Sequence, residues 1–360
     1  MTGLLPEGFH DRLPPAADAA SRLESRVLGV ARSYGYEQVD PPLAEFADEL
    51  ASRLKAARMR DAVRFVDPVS QRTLAIRPDI TAQVGRIAAT RMGHHPRPVR
   101  LSYAGQVMKL SASALDPLRS MRQIGCELIG LDTVAAATEV VQVAIEALQA
   151  AGVTGLSVDF TLPDLIDMLA GDSPDIEALR QRLDAKDAGG VAAIDSRYMP
   201  LIEAAGPFDA AMARLREIDS GRLSTRLEGL ASIASAIEGQ AALTLDPTER
   251  HGFEYQSWLG FSLFAQGMRG EIGRGGSYTI IHGDSREETA VGFSLYADPI
   301  LAGLRDGERR RLFLPLGTPL SVAAGLRGEG WVTVAALEGG DTPEAQLCSH
   351  VLKDGAPEAA

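Results

Sequence analysis

Cysteine is nearly missing from this chain: Cys126 and Cys348 are the only two in 360 residues, far apart and without C-x-x-C spacing. That scarcity excludes a disulfide framework and a cysteine-based zinc site, and it fits a reducing cytoplasm. Histidine is scarce as well. The six that occur form no metal-ligand pattern, and the adjacent pair His94 and His95, followed by Pro96, reads as loop. No apolar run is long enough to span a bilayer, and MTGLLPEGFHDRLPP lacks the basic and apolar regions of a secretory signal. Basic residues are outnumbered too. Thirty-six Lys and Arg against 48 Asp and Glu leave a formal charge of -12, a field that repels phosphate backbones unless a local basic patch opposes it. Neither nucleic acid nor membrane is an expected partner, and the expected location is the cytoplasm.

What remains is an ordinary globular composition, 45% hydrophobic and 23% charged, enough for a large core. Leu23, Val27, Val30 and Tyr34 fall at spacings of four, three and four, which predicts a helix stopped at Gly35. VRFVD and TLAIRP read as two strands, and DITAQVGRIAATRM as a helix with Ile80, Val84 and Ile87 on one face. VRLSYAGQVMKL and MRQIGCELIGL read as a long hairpin around the loop SASALDPLRS. TEVVQVAIEALQAAG then reads as a helix and LSVDFTL as a strand. From about 163 to 242 the composition turns to Ala, Leu, Arg, Asp and Glu, which predicts a helical insertion. Strand character returns in FEYQSWLGFSLFAQ and GRGGSYTII, and ETAVGFSLYADPILAGL reads as an apolar helix. GRGGS has neither the Lys-Ser/Thr of a phosphate loop nor G-x-G-x-x-G, so a tight turn between strands fits its glycines better. Residues 311–360 read as strand, helix, strand and a further strand, a small α/β module beside a core spanning 1–310. Hairpins in series with helices between them predict an α+β fold, an antiparallel sheet flanked by helices.

Two stretches carry candidate chemistry. In MRQIGCELIG, a strand directs Gln123, Gly125 and Glu127 to one face and Ile124, Cys126 and Leu128 to the other. An amide and a carboxylate across a residue with no side chain leave room for a ligand on the sheet, although an exposed face with a glycine at a bulge fits this stretch, taken alone, slightly better. In IRPDIT, Pro78 ends the strand at Arg77, and Asp79 with Thr81 sits at the start of the next helix. Asp79 can serve there as a cap. With Glu127 it can also make an acidic pocket for an amino-acid α-amine, where charge-assisted hydrogen bonds are strong. Arg119 and Arg122, near the hairpin loop, fit a solvated loop better than an anion site.

LPEGFHDRLPP, YGYEQVDPPLAEF, IRPDIT, RLSYAGQVMKL, RQIGCELIG, FEYQSWLGFSLF and GGSYT followed by AVGFSLYADPI together resemble the catalytic core of class II histidyl-tRNA synthetases, over roughly 1–130 and 250–305. The resemblance implies a class II aminoacyl-tRNA synthetase-like antiparallel sheet, usually dimeric. It also implies a histidine site of Asp79, Thr81, Lys109, Gln123, Glu127 and Tyr255, with Asp79 where the synthetases carry a longer acid. The chain departs from the pattern in several places. His251 stands where the catalytic arginine belongs, Arg250 is one place off, and Gln256 replaces a tyrosine. Lys109 replaces a hairpin arginine that holds the triphosphate, and Ser111 replaces an acid. Ser277 replaces another arginine, and Asp298–Pro299 replaces the acid–arginine pair of the last motif. Planar, always-charged arginines are what a polyanion needs, so adenylate formation is expected to be lost. The tail is about half the length of an anticodon-binding domain. This combination is similar to the regulatory subunits of ATP phosphoribosyltransferase, a non-enzymatic family. The similarity implies a short-form catalytic subunit as partner, histidine as ligand, a homodimer core within a hetero-oligomer, no cofactor and no resident metal. A working synthetase is the alternative.

Overall fold

The computed structural model describes residues 4–51, 62–111, 118–171, 173–250, 256–283, 286–304 and 310–360. The chain divides into two units, Met1–Leu304 and Arg305–Ala360. In chain order the first unit begins with α1 (Ala16–Ser33), β1 (Glu37–Gln38), β2 (Ala44–Phe46), α2 (Ala47–Ala51), β3 (Arg64–Val66), β4 (Thr73–Ile76) and α3 (Thr81–Thr90). The long hairpin β5 (Val99–Met108) and β6 (Ser120–Ile129) follows, then α4 (Val134–Ala150) and β7 (Leu156–Thr161). The segment predicted to be helical holds α5 (Leu165–Ala170), α6 (Ile176–Asp184), α7 (Ala188–Asp195), α8 (Pro200–Glu203), the two-residue β8 (Gly206–Pro207), α9 (Phe208–Ile218) and α10 (Ser224–Ala236). The unit closes with β9 (Ala242–Leu245), β10 (Gln256–Ala265), β11 (Gly273–Ile281), β12 (Glu287–Tyr296) and α11 (Ala297–Gly303).

Helix α1 follows the predicted spacing. Leu23 and Val27 are buried, Val30 and Tyr34 pack at the margin, and Gly35 leaves the helix at φ +83°, a conformation that a Cβ disfavours. Thr133 caps α4 by accepting the Ala136 N–H, and almost every apolar side chain of that helix is buried. The two helices cover one face of a nine-stranded sheet of order β1-β5-β6-β12-β11-β10-β7-β9-β8. Its middle, from β5 to β7, is antiparallel throughout, as expected; β1 and β9 join in parallel at the margins. A small antiparallel sheet, β2-β4-β3, contains the predicted strand pair VRFVD and TLAIRP.

Two expectations fail in an instructive way. ETAVGFSLYADPILAGL is not one helix: Glu287–Tyr296 is a strand paired with β6 on one side and β11 on the other, and only Ala297–Gly303 is helical. A central strand covered on both faces buries nearly every residue, so it loses the alternation that separates strand from helix. The glycines of GRGGSYT do not form a turn either, because the whole run lies inside β11, in register with β10 and β12.

The second unit is a four-stranded sheet, β14-β13-β15-β16, made of β13 (Arg311–Leu314), β14 (Val332–Ala335), β15 (His350–Lys353) and β16 (Ala356–Ala359), with the helix α12 (Leu320–Gly328). Leu312, Leu314, Ala323, Leu326 and Leu352 form one small core, and Phe313, Cys348 and Val351 form another. Cys126 and Cys348 are both buried free thiols. Among the described residues, no helix is long and apolar enough to cross a membrane.

Candidate functional site

Strand β6 divides its side chains as its alternation requires. Ile124, Cys126 and Leu128 enter the large core with Val27 and Val140, while Gln123 and Glu127 turn to the opposite face and are 1% exposed. Buried polar groups there must find partners or cost free energy, and these do. The Gln123 carbonyl oxygen accepts the Ile80 N–H at 3.0 Å, which fixes the orientation of the amide. Its nitrogen then donates to Asp79 Oδ2 at 3.1 Å and to Ser294 Oγ at 2.6 Å. Asp79 accepts the Thr81 N–H at 2.8 Å through its other oxygen, so it braces the entry to α3 from one residue before the helix cap, which is Ile80. Asp79 is therefore not the cap itself, but it braces the helix entry and belongs to the polar cluster at once.

Glu127 sits deeper. Oε2 accepts the Tyr278 hydroxyl at 2.7 Å and Oε1 the Tyr103 hydroxyl at 3.1 Å. With its proton given to Glu127, Tyr103 accepts from Ser294 at 3.0 Å and Thr81 at 3.2 Å. Gln123, Ser294, Tyr103 and Glu127 thus form a directed relay. Burial pushes the Glu127 carboxyl up to about 8, aided by the nearby charge of Asp79 and opposed by the hydroxyls of Tyr278, Thr81 and Tyr103. Desolvation and the same two carboxylates hold the Tyr103 phenol well above its ordinary range.

Glycine shapes this floor, but not as the sequence suggests. The space over Gly125 is not open: the Tyr103 phenol fills it, and a Cβ there would collide with that hydroxyl and with the Phe293 carbonyl. Glu127 in turn lies over Gly292 on β12, where a Cβ would strike its carboxylate. The open volume is displaced sideways across the sheet. A narrow cleft, partly open to solvent, is lined by Asp79, Thr81, Glu127, Gln256, Arg274, Tyr278, Ser294 and Tyr296, with Gly275, Gly276, Gly292 and Phe293 as its floor.

Four of the predicted site residues meet at this cleft: Asp79, Thr81 and Glu127 line it, and Gln123 supports Asp79 and Ser294 from beneath. Lys109 does not line it. It lies beyond the end of β5, its N–H bonded to the Arg119 carbonyl, four positions past the Gly105 that pairs with Gln123. Tyr255 and His251 lie outside the described residues. Sequence reasoning missed Tyr103, Tyr278, Ser294 and Arg274, because these come from three different strands and only the pairing register brings them together. It also missed Arg77, whose buried guanidinium donates to the carbonyls of Gln106 and Pro41 and to Gln83. The pattern Arg-Pro-Asp offered a signal for a structural arginine at the strand end.

The positions expected to have lost ATP arginines are occupied by structural work. Ser277 is fully buried, and its hydroxyl accepts the Trp258 and Leu259 N–H groups and the Ser257 hydroxyl where β10 bulges between Gln256 and Gly260. Asp298 pairs with Arg12 and accepts the Arg122 N–H at 3.2 Å, with His10 at 3.7 Å. Arg250 turns to α6, its N–H bonded to Asp184 at 2.8 Å. Arg122 pairs with Glu24, and Arg119 lies over the Phe9 ring at 4.8 Å. Among the described residues, no group of three or more His, Cys, Asp or Glu is placed to hold a metal ion.

Residues 8–300 match the family model described as histidyl-tRNA synthetase. A protein of Rhodospirillum centenum named ATP phosphoribosyltransferase regulatory subunit is 40% identical over 369 residues, covering 98% of this chain and 95% of its own. One of the same name from Paramagnetospirillum magneticum is 39% identical, covering 97% and 96%. Among solved structures, the ATP phosphoribosyltransferase regulatory subunit/histidyl-tRNA synthetase from Bacillus halodurans C matches with a TM-score of 0.80 at 22% identity, over 96% of each chain. Histidyl-tRNA synthetase from Nostoc sp. PCC 7120 matches at 0.79 with 14% identity, over 98% of this chain and 91% of its own. At such identities the two structures bear on the fold alone, which is class II synthetase-like.

Proposed function

The chain belongs to the ATP phosphoribosyltransferase regulatory subunit family, and on that premise we propose that it is a non-catalytic, histidine-sensing subunit of that enzyme. It works with a short-form catalytic subunit in the first step of histidine biosynthesis and passes histidine feedback to it. The observation that carries this reading is the contrast within one sheet. Asp79, Thr81, Gln123 and Glu127 converge on a polar cleft suited to an amino acid, whereas Ser277 and Asp298 are committed to holding the fold. In this reading Tyr255 completes the histidine pocket, while Lys109 stands outside the cleft. The assembly is a cytoplasmic hetero-oligomer around a homodimer of this chain, residues 163–242 form an insertion, and residues 311–360 form a separate module.

Feedback requires that histidine bind the inhibited assembly more tightly than the active one, since equal affinity shifts no equilibrium. A coupling of about 1 to 3 kcal/mol is typical of such devices. Reconstitution tests the proposal: the cognate short catalytic subunit is expected to form phosphoribosyl-ATP only when mixed with this chain. Equal activity without it would sink the reading. The match to a synthetase family model favours the working synthetase as the second reading. That reading requires histidine-dependent exchange of pyrophosphate into ATP, and the proposal expects none.

A further inference from the structure

Among the described residues that line the cleft, Arg274 is the only cation. It stands in β11 directly across from Ser294 in β12 and from Ser262 in β10. Its guanidinium is held by Glu271, with Nε donating to Oε1 at 2.6 Å and one terminal nitrogen to Oε2 at 2.8 Å. Glu271 is steadied in turn by the Ser262 hydroxyl at 2.7 Å. The two side chains are 21% and 19% exposed, so the pair is largely buried and its plane is fixed.

The place of this cation matters more than its presence. Ser294 Oγ accepts from the same Gln123 nitrogen that donates to Asp79, and residues opposite one another in a sheet have Cβ atoms about 4.5 to 5.5 Å apart. A fixed positive group therefore stands one strand away from the cluster that contains the Asp79 carboxylate. An amino-acid zwitterion has its ammonium and carboxylate on one carbon and needs that juxtaposition of opposite charges, with its side chain left to lie elsewhere in the cleft. A neutral or purely cationic ligand has no use for the arginine.

Resting on the proposal that the cleft binds histidine, we propose that Arg274, oriented by Glu271, is the carboxylate anchor of the ligand and makes the site selective for the free amino acid over its decarboxylated amine. Asp79 takes the ammonium end, and the imidazole lies toward Glu127 and Tyr278.

Calorimetric titration with histidine and with histamine tests this, because the two ligands differ only by the carboxylate. The wild-type chain is expected to prefer histidine at least tenfold. Arg274→Gln is expected to lower histidine affinity about 10 to 100-fold, the range for hydrogen bonds to charged groups, while histamine affinity changes by less than about twofold, since it makes no such bond. Because Arg274→Gln leaves Glu271 without its partner, the double variant Arg274→Gln/Glu271→Gln keeps the floor neutral and is expected to show the same selective loss. Arg274→Lys should recover part of the preference. Equal histidine affinity in wild type and both glutamine variants, or parallel loss of histidine and histamine, would overturn the assignment. A wild-type chain that binds neither ligand would instead overturn the histidine-binding reading beneath it.

Discussion

Gln123 and Arg122 are neighbours on one strand, and they serve opposite faces of the molecule. Gln123 looks into a buried polar cluster: its amide accepts from Ile80 and gives to Asp79 and Ser294, and Ser294 and Tyr103 carry the chain of hydrogen bonds on to Glu127. Arg122 looks outward to Glu24, and its own N–H is taken by Asp298, which also pairs with Arg12 near the N-terminus. The first region holds a carboxyl so poorly solvated that its ionisation is pushed up to about 8. The second contains charges that are simply paired. A buried group with a perturbed ionisation beside a cleft is the arrangement found at binding sites, whereas a paired charge at an element junction is how a chain is pinned. The comparison teaches that one face of the sheet holds a buried polar cluster beside a cleft, while the other is pinned by paired charges.

The strongest way to break that comparison is to disable the cluster itself. Glu127→Ala is expected to weaken histidine binding by about 100-fold, because it removes the buried carboxyl that faces the ligand, a hydrogen bond to a group of this kind being worth about 1.5 to 3 kcal/mol. Calorimetry against wild type reads the loss, with circular dichroism to confirm the fold. Unchanged affinity would place the ligand elsewhere.

A second effect follows from ionisation. The folded Glu127 carboxyl titrates near 8, above the ordinary value of 4.5, so between those values the folded state holds a proton that the unfolded chain has released. The sign follows from linkage: stability falls as pH rises through this window, by up to about 1.4 kcal/mol per pH unit from this group. Urea denaturation of Glu127→Gln, which cannot ionise, should show a flatter dependence from pH 5 to 8 than wild type. Parallel curves would mean that the carboxyl is better solvated than its burial implies.

The smallest effect sharpens the other half of the comparison. Asp298→Ala should cost about 1 to 3 kcal/mol of stability, reduced from the value for a fully buried pair because Arg12 is 22% exposed. It should leave histidine affinity within about twofold, since it removes no hydrogen bond to the ligand. A large loss of affinity with little loss of stability would show that the corner near Asp298 still belongs to the site.

Much of this was legible beforehand where one element carried the whole signal. The period-two split of MRQIGCELIG placed Gln123 and Glu127 on one face, and Pro78 placed Asp79 and Thr81 at the entry to α3. Illegible were contributions that depend on which strands pair. Tyr103, Ser294, Tyr278 and Arg274 lie in β5, β12 and β11 and meet only through register. Strand β12 itself reads as helix because burial on both faces erases its alternation. Gly125 reads as leaving space, but the register puts Tyr103 directly across from it and fills that space. Ser277 looked like a lost cation, and only the bulge in β10 explains what its hydroxyl does.

The central claim is that this cleft senses histidine on behalf of a catalytic partner. The most direct measurement is histidine inhibition of the reconstituted complex, made with wild-type chain and with Asp79→Ala. The account predicts full activity without histidine in both complexes, and inhibition that in the variant requires about 10 to 100-fold more histidine, the loss of one charge-assisted bond. Identical inhibition curves for the two would contradict it.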